Sequence, residues 1–422
     1  MVTSLLGVLK GTNGGVPKAP TSNSGRTHGY QSSPTLTGCS VQGQLSPFSC
    51  GRVCRGHMTI QNTLHSFAGA SGTAMFFPLG HPATWRVIAM SGMAPRQRRT
   101  AGPEDKPIAN ELSLDELQAV VDSATDCAVD LRDPVWLTHF RLHHRQAARY
   151  RQGPVFLAGD AGHIHSPVGA QGMNTGIQDA WNLGWKLALV VSGVADPVLL
   201  DSYEAERWPV GRSLLRYTDR IFSVFTRAMS TSAIAAWVRR TVVARALPGL
   251  MRNEWLRAFA FRFVSNFSIR YRDSPAVAEG TPSLRGGPRA GDRLPDAELA
   301  WNARATTLQR EIVGPRFHLL LCGALEEWGG QASSLARLTA CYPDTVAVRH
   351  LTRSAAADTL VDSSGNAFAK LRVRDTGQYL VRPDGYVAYR CAGTSLTGVE
   401  QFLTRCCRNP PVDSGSNRST GA

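Results

Sequence analysis

The sequence lacks several features by which whole classes of protein are recognised. It contains no uncharged apolar run long enough to cross a membrane, no G-x-S-x-G nucleophile motif and no Walker A phosphate loop. Its nine cysteines include no C-x-x-C pair and no zinc-ligand spacing. These absences argue against a membrane protein, a hydrolase and a nucleotide-hydrolysing enzyme. The cysteine pattern favours a reducing, cytoplasmic compartment.

Lysine is also scarce. Only five of the 46 basic residues are lysine, and the arginines are spread along the chain, although the formal charge is +14. A nucleic-acid-binding protein would carry a basic stripe on a recognisable module. We therefore expect no nucleic-acid partner, and a solvated basic surface with some attraction for anionic small molecules.

Residues 1–56 contain no acidic residue and are rich in Gly, Ser, Thr and Pro. They show no sustained hydrophobic period, so we predict an irregular, disordered segment. Two interpretations stay open, namely a disordered tail or sequence that does not belong to the folded protein. A basic, acid-free start also resembles an organelle transit peptide, but it lacks an amphipathic face.

Composition and periodicity divide the rest of the chain. Over 57–150 we predict a half-buried sheet that includes strands at 73–79 and 84–90, with one covering helix that Ser113 and Glu116 open as a capping box. Over 151–275 we predict a central motif followed by helices. A Pro- and Gly-rich linker over 276–296 then leads to a small α/β unit over 297–408, and a disordered tail over 409–422.

The most informative stretch covers residues 153–188. An apolar run at 154–158 predicts a central strand, and Asp160 stands just past its end. Gly169 and Gly172 permit a close backbone approach, and a helix begins at about Gly172, with Ile177 and Trp181 at helical spacing on one side. A carboxylate beside a helix start can bind hydroxyl groups and an electron-rich ring edge together.

Two other interpretations of this stretch come from the residues alone. It could be a strand–turn–helix unit in which Asp160 only caps the turn. His163 and His165 have an H-x-H spacing that could suit a metal, but no third ligand is evident.

The same stretch resembles a known motif. Gly159, Asp160, Pro167, Gly169, Gly172 and Asn174, followed by Gln178, Asp179, Ala180, Asn182 and Leu183, resemble the second flavin-binding motif of single-component, FAD-dependent aromatic hydroxylases. The branch is that of pentachlorophenol monooxygenase and phenol hydroxylase. Asp201, Glu206, Arg207 and Pro209 continue the resemblance.

The resemblance implies an α/β fold with three parts. These are a substrate-domain β-sheet (57–150), a partial FAD-binding, glutathione reductase-like domain (151–275) and a carboxyl-terminal thioredoxin-like domain (297–408). Cys322 has no partner at C-x-x-C spacing, so we expect the last domain to serve in structure or docking rather than in redox chemistry.

The resemblance also implies roles for individual residues. Asp160 would hold the ribityl hydroxyls of FAD, and Pro167 would lie beside the isoalloxazine ring. The backbone N–H groups facing the pyrimidine edge would come from Gly169, Ala170, Gln171, Gly172, Met173 and Asn174. The implied reaction hydroxylates a small aromatic substrate, phenol-like or polyketide-type, with NAD(P)H and O₂. No catalytic acid or base matches a family motif, and the tail domain could support a homo-oligomer.

The sequence departs from the family pattern at its start. The family's G-x-G-x-x-G segment, which seats the ADP pyrophosphate, and its later Asp-Gly pair are absent before residue 150. We therefore expect an amino-terminally truncated member that binds FAD weakly. The alternative is a catalytically inactive fragment, or an interaction protein acting through its thioredoxin-like domain.

Overall fold

The computed structural model describes residues 36–45, 65–68, 72–79, 85–91, 112–125, 129–142, 145–164, 171–228, 249 and 252–407. Predictions for His165, Pro167, Gly169, Ala170, residues 409–422 and most of residues 1–56 lie outside the described residues. No helix in the described part of the chain combines the length and the hydrophobicity that a membrane crossing requires.

The first unit is a five-stranded antiparallel sheet covered by one helix. Its strands, in the order β2-β3-β4-β1-β5, are β1 (Leu36–Leu45), β2 (His65–Ala68), β3 (Gly72–Pro78), β4 (Trp85–Ser91) and β5 (Leu131–Leu142). Helix α1 (Leu114–Ala124) packs Leu117 and Val121 onto Phe76 and Val87 of the sheet. Ser113 and Glu116 form the predicted capping box at its start.

Strand β1 corrects the prediction of an irregular segment over residues 1–56. It lies inside the sheet, paired with β4 on one side and β5 on the other. Its sequence is rich in Gly, Ser and Gln, so it carries little β-pattern of its own. The ladder on both sides is made by backbone groups, which any residue except proline can supply, and residue type alone did not reveal it.

The apolar run at 154–158 is not the central strand that its composition suggested. Two short antiparallel pairs occur here, β6 (Arg145–Gln146) with β9 (His163–Ile164) and β7 (Arg151–Gln152) with β8 (Val155–Phe156). Val155 is 55% exposed. Among the described strands only β7 pairs with β8, so the run has no neighbours that would bury both of its faces.

In the described residues after the hairpins, the longer helices are α2 (Gly172–Val191), α3 (Asp201–Ala228), which contains Pro209, and α4 (Glu254–Val264). Helix α2 starts where the sequence predicted. The side that carries Ile177 and Trp181 is exposed, with Trp181 58% accessible. The buried side instead carries charged and polar groups, including Asp179 and Lys186, so helical spacing of apolar residues did not identify the packed face.

The carboxyl-terminal unit is built on an eight-stranded mixed sheet. Its strands, in the order β10-β17-β16-β13-β14-β15-β11-β12, are β10 (Ala278–Glu279), β11 (Glu298–Trp301), β12 (Arg304–Thr307), β13 (Phe317–Cys322), β14 (Val346–Thr352), β15 (Thr359–Val361), β16 (Gly377–Val381) and β17 (Val387–Ala392). The helices are α5 (Leu308–Glu311), α6 (Leu325–Trp328), α7 (Ala332–Cys341), α8 (Asn366–Leu371) and α9 (Thr397–Cys406). Strand β13 is buried along its whole length.

Residues 276–296 form a packed connection and not the free linker that was predicted. Leu284 and Leu294 are buried in the core of the carboxyl-terminal unit. Gly291 has φ +84 and donates its N–H to the carbonyl of Val387, while an added Cβ there would lie 2.5 Å from the backbone of Tyr271. The glycines therefore permit close packing here, although the same composition is typical of flexible linkers.

Helix α2 and the carboxyl-terminal sheet share one hydrophobic core. Trp185 and Leu189 of α2 lie in the same cluster as Phe317 of β13 and Phe402 of α9. The rings of Trp185 and Phe317 meet edge to face with centroids 5.6 Å apart. The carboxyl-terminal unit is thus packed directly on the helix that carries the motif.

Candidate functional site

The predicted motif folds into a 3₁₀ turn at Gly159–Ala161 that lies against the first half of α2. Gly159 has φ +60, and a Cβ added to Gly176 would lie 3.4 Å from the Gly159 Cα. Two glycines therefore let the turn and the helix meet backbone to backbone. Asp160, the next residue of the turn, has an exposed side chain.

Gln171, the residue at the amino end of α2, does not cap the helix with its side chain. It is buried and instead donates its amide N–H to the carbonyl of Phe263 at 3.1 Å. The first turn contains no acidic residue, and Met173 is 72% exposed. The partial positive charge of this helix end is therefore not neutralised by a side chain of its first turn.

Asp179 holds the turn on the helix. Its Oδ2 accepts the backbone N–H of Gly159 at 3.0 Å and lies 2.7 Å from Nε2 of His163. Its Oδ1 accepts Nε–H of Arg207 at 2.6 Å. All three side chains are buried, so a single carboxylate joins the turn, α2 and α3.

Arg207 extends this group of contacts. Its Nη1 donates to the Tyr271 hydroxyl at 2.7 Å, and its Nη2 donates to the carbonyl of Thr175 at 3.1 Å. Burial alone would raise the pKa of the Asp179 carboxyl, but the hydrogen bond from His163 and the charge of Arg207 outweigh it and lower that pKa. Asp179 is therefore ionised, and because a carboxylate only accepts, His163 carries its proton on Nε2.

Helix α3 also fixes the β7–β8 hairpin that precedes the turn. The Glu204 carboxylate accepts the backbone N–H groups of Tyr150 and Arg151, each at 2.8 Å. The Tyr203 hydroxyl donates to the carbonyl of Leu157 at 2.7 Å. Burial raises the pKa of Tyr150 to about 12, so its hydroxyl stays protonated at neutral pH. The hairpin is thus positioned by side chains of α3, and the turn by Asp179 of α2.

A second buried ion network joins α2 and α3 to the carboxyl-terminal unit. Glu206 accepts both terminal nitrogens of Arg382, at 2.6 and 2.9 Å, and Nζ of Lys186 at 2.8 Å. Arg382 also donates to both oxygens of Asp384, in the turn between β16 and β17. Asn182 donates to both Glu206 and Asp384.

The charges of this network balance within the buried group. Burial alone would raise the pKa of Glu206, but the charges of Arg382 and Lys186 hold it well below its usual range. Burial lowers the pKa of Lys186 to about 8, although Glu206 favours its charged form. Two cations therefore face the two carboxylates of Glu206 and Asp384, which gives each buried charge a partner.

The predicted site residues fall into two groups. Asp160, Gln171, Gly172, Met173 and Asn174 lie in the turn or at the amino end of α2. Pro167, Gly169 and Ala170 lie outside the described residues. His163, considered above as one half of an H-x-H metal pair, is a hydrogen-bond partner of Asp179.

The sequence pattern assigned no role to the buried ionic residues. Asp179 belongs to the motif, and Glu206 and Arg207 only continue the resemblance after it. One signal was available, because Asp179 and Lys186 are seven residues apart and so share a face of α2. No local signal pointed to Arg382. The Cys322 thiol is buried, which raises its pKa and agrees with the expectation of no redox role.

Two family models match the chain. One, described as FAD binding domain, covers residues 55–218, and the other, described as the carboxyl-terminal domain of aromatic-ring hydroxylases, covers residues 287–410. The first includes the turn, α2 and most of α3. The second includes Arg382 and Asp384.

Curated relatives agree with these matches. Pentachlorophenol 4-monooxygenase of Sphingobium chlorophenolicum is 35% identical over 311 residues, which is 71% of this chain and 55% of that protein. 6-Methylpretetramide 4-monooxygenase of Streptomyces rimosus is 32% identical over 350 residues, covering 80% and 58% of the two chains. This chain thus spans a little over half the length of these relatives.

Solved structures are similar as well. The anhydrotetracycline hydroxylase OxyS of Streptomyces rimosus superposes with a TM-score of 0.58 at 26% identity, over 89% of this chain and 64% of that one. CabE, an aromatic hydroxylase from angucycline biosynthesis, gives 0.57 at 28% identity, over 90% and 65%. The fold and motif define a flavoprotein of the α/β class. The chain belongs to the FAD-dependent aromatic monooxygenase family, which confirms the resemblance seen in the sequence.

Proposed function

We propose that this chain forms the riboflavin side of an FAD site in an aromatic hydroxylase. The observation that carries the proposal is the exposed Asp160 carboxylate on a turn packed against α2, whose first turn contains no acidic residue and whose amino end is not capped by the Gln171 side chain. Both features fit the cofactor, because ribityl hydroxyls need an acceptor and an electron-rich ring edge needs N–H donors. Asp179 supports the fit, since it fixes the residue before Asp160.

Each proposed residue has a defined part in holding the cofactor. Asp160 accepts hydrogen bonds from the ribityl hydroxyls, and Pro167 lies beside the ring system. Gly169, Ala170, Gln171, Gly172, Met173 and Asn174 present backbone N–H groups to the pyrimidine edge. The helix end stabilises negative charge on that edge, which favours the reduced ring.

The reaction we propose is hydroxylation of an aromatic ring with NAD(P)H and O₂. Bound FAD would supply the redox chemistry, in which NAD(P)H provides two electrons as hydride, one oxygen atom of O₂ enters the ring as a hydroxyl group and the other leaves as water. The protein orients the cofactor and limits the access of water. The names of the relatives, which include pentachlorophenol and methylpretetramide, support a phenol-like or polyketide-type substrate.

We also propose that the carboxyl-terminal unit is thioredoxin-like. Four adjacent strands in the order β17-β16-β13-β14 support this. Strands β13 and β14 are parallel and joined through α7, β16 and β17 form an antiparallel hairpin, and α9 follows. With Cys322 buried and no C-x-x-C pair, its proposed role is structural.

Flavin binding by the full chain tests the proposal. We expect purified protein to quench the fluorescence of added FAD, and Asp160→Ala to weaken binding about tenfold, as expected for loss of hydrogen bonds to a charged acceptor. The unfolding midpoint should not change, because Asp160 is exposed. Asp344→Ala is the matched control, since its carboxylate is exposed and lies in another unit.

Activity is a separate measurement. NAD(P)H oxidation and hydroxylated product are followed with phenol and pentachlorophenol as substrates. A folded chain that binds FAD and forms product supports the whole proposal. A folded chain that binds no flavin would instead favour a catalytically inactive protein that acts through its carboxyl-terminal unit.

A further inference from the structure

The carboxyl-terminal unit contains a cavity of about 570 Å³ that the flavin site does not use. It lies between the loop at Arg285, the end of β14 and helix α8. Four arginines line it, and the described lining includes no acidic residue: Arg285, Arg353, Arg372 and Arg374. A guanidinium group stays protonated in proteins, so this cavity concentrates positive charge.

These arginines differ from the ion-paired arginines in the described part of the chain. Arg272, Arg316 and Arg337 each form a salt bridge with an aspartate or glutamate. None of the four cavity arginines forms a salt bridge with any described residue. No described carboxylate forms a salt bridge that would offset the repulsion among these guanidinium groups. Binding of an anionic ligand in the cavity is therefore electrostatically favourable.

The guanidinium of Arg353 is held by contacts that do not use an anion. It lies over the ring of Phe368 at 4.2 Å and donates to the carbonyl of Arg374 at 3.2 Å. Stacking on an aromatic ring leaves the outer N–H groups of a guanidinium available. Arg353 is thus preorganised, and its hydrogen bond fixes the backbone that carries Arg374.

The opposite wall is also fixed. Arg372 follows α8 with φ +57, and its side-chain carbons lie 3.4 Å from a Cβ built on Gly286. The carbonyl of Gly286 accepts from Nη1 of Arg390 at 2.5 Å, and Arg390 is paired with Glu279 at 2.8 Å. The loop that carries Arg285 is therefore tied to strands β17 and β10.

We propose that this cavity binds a diphosphate group, either as free pyrophosphate or as part of a nucleotide. Guanidinium groups match phosphate oxygens in bidentate geometry, and several arginines need a ligand with more than one negative centre. A diphosphate carries negatively charged oxygens on two neighbouring phosphate groups. The site is formed by residues 285–374, so it is independent of the proposed flavin site.

Calorimetric titration of the full chain with sodium pyrophosphate tests the proposal. The expected result is saturable, one-to-one binding that weakens as salt is raised from about 50 to about 300 mM. Arg353→Gln combined with Arg372→Asn should weaken binding at least about tenfold. Asn is chosen at 372 because it tolerates a left-handed backbone. Arg310→Gln is the control, since Arg310 is exposed and lies outside the cavity.

Titration with ADP distinguishes a nucleotide from free diphosphate as the ligand. Tighter binding of ADP than of pyrophosphate, lost in the double variant, assigns the ligand to a nucleotide, and equal binding assigns it to free diphosphate. The proposal is overturned if pyrophosphate does not bind, if Arg310→Gln weakens binding as much as the double variant, or if only an acidic peptide such as polyglutamate binds. Circular dichroism of each variant checks that its fold is intact.

Discussion

Two buried ion networks join α2 to α3, one centred on Asp179 and the other on Glu206. The Asp179 network joins Gly159, His163 and Arg207, and extends through Arg207 to Tyr271. The Glu206 network reaches Arg382 and so crosses to the carboxyl-terminal unit. The chemistry is the same, but the first network positions the candidate site and the second attaches a domain.

Mutations in the two networks should therefore have different consequences. Asp179 acts on a single backbone N–H next to Asp160, so disturbing it should alter the cofactor site directly. Glu206 acts on the turn between β16 and β17, so disturbing it should alter mainly stability. A buried charge that loses its partner is destabilising in both places, which means that stability alone cannot separate the two roles.

The largest loss of unfolding free energy is expected from Arg382→Met. The change leaves the carboxylates of Glu206 and Asp384 buried without their shared guanidinium, which should lower the unfolding free energy by about 3–5 kcal/mol. Urea unfolding measures the loss, and Arg310→Met is the exposed control. A loss below about 1 kcal/mol would mean that the network does not hold the two units together.

An intermediate effect is expected from Asp179→Asn. The amide has one acceptor atom, so it cannot serve both Arg207 and the Gly159 N–H, and a loss of about 2–3 kcal/mol should follow. For an equal loss of unfolding free energy, Asp179→Asn should lower the affinity for FAD more than Glu206→Gln does. Asp201→Asn is the exposed control. If both buried variants weaken flavin binding equally, the proposed division of roles is wrong.

The smallest expected effect is the pH dependence of the unfolding free energy that comes from Lys186. Its pKa is about 8 in the folded chain against 10.5 in the reference state, so the unfolded chain binds more protons between those values. Stability from this group therefore rises with pH in that window, by an amount on the order of 1 kcal/mol or more. Unfolding of the wild type and of Lys186→Met at about pH 7 and about pH 9.5 tests this. The unfolding free energy of the wild type minus that of Lys186→Met should be larger at the higher pH than at the lower. An equal or smaller value at the higher pH would contradict the prediction.

Several local features could be predicted from sequence because neighbouring residues decide them. The capping box at Ser113 and the start of α2 at Gly172 both follow from local periodicity or capping chemistry. The flavin motif was likewise recognisable from its glycines and Asp160. Predictions failed where the presence or absence of distant strand partners decides the structure: β1 pairs with distant strands, whereas the run around Val155 pairs only with the adjacent β7 among the described strands.

The sequence by itself determined the family, the position of α2 and the residues proposed to face the cofactor. Only the tertiary structure decided that the side of α2 carrying Asp179 and Lys186 is buried and that Arg382 meets Glu206. The physical reason is that a charged group can be buried only where partners converge on it, and Glu206 and Arg382 are 176 residues apart in the sequence. Local pattern specifies a helix, whereas packing between distant segments specifies which of its faces is buried.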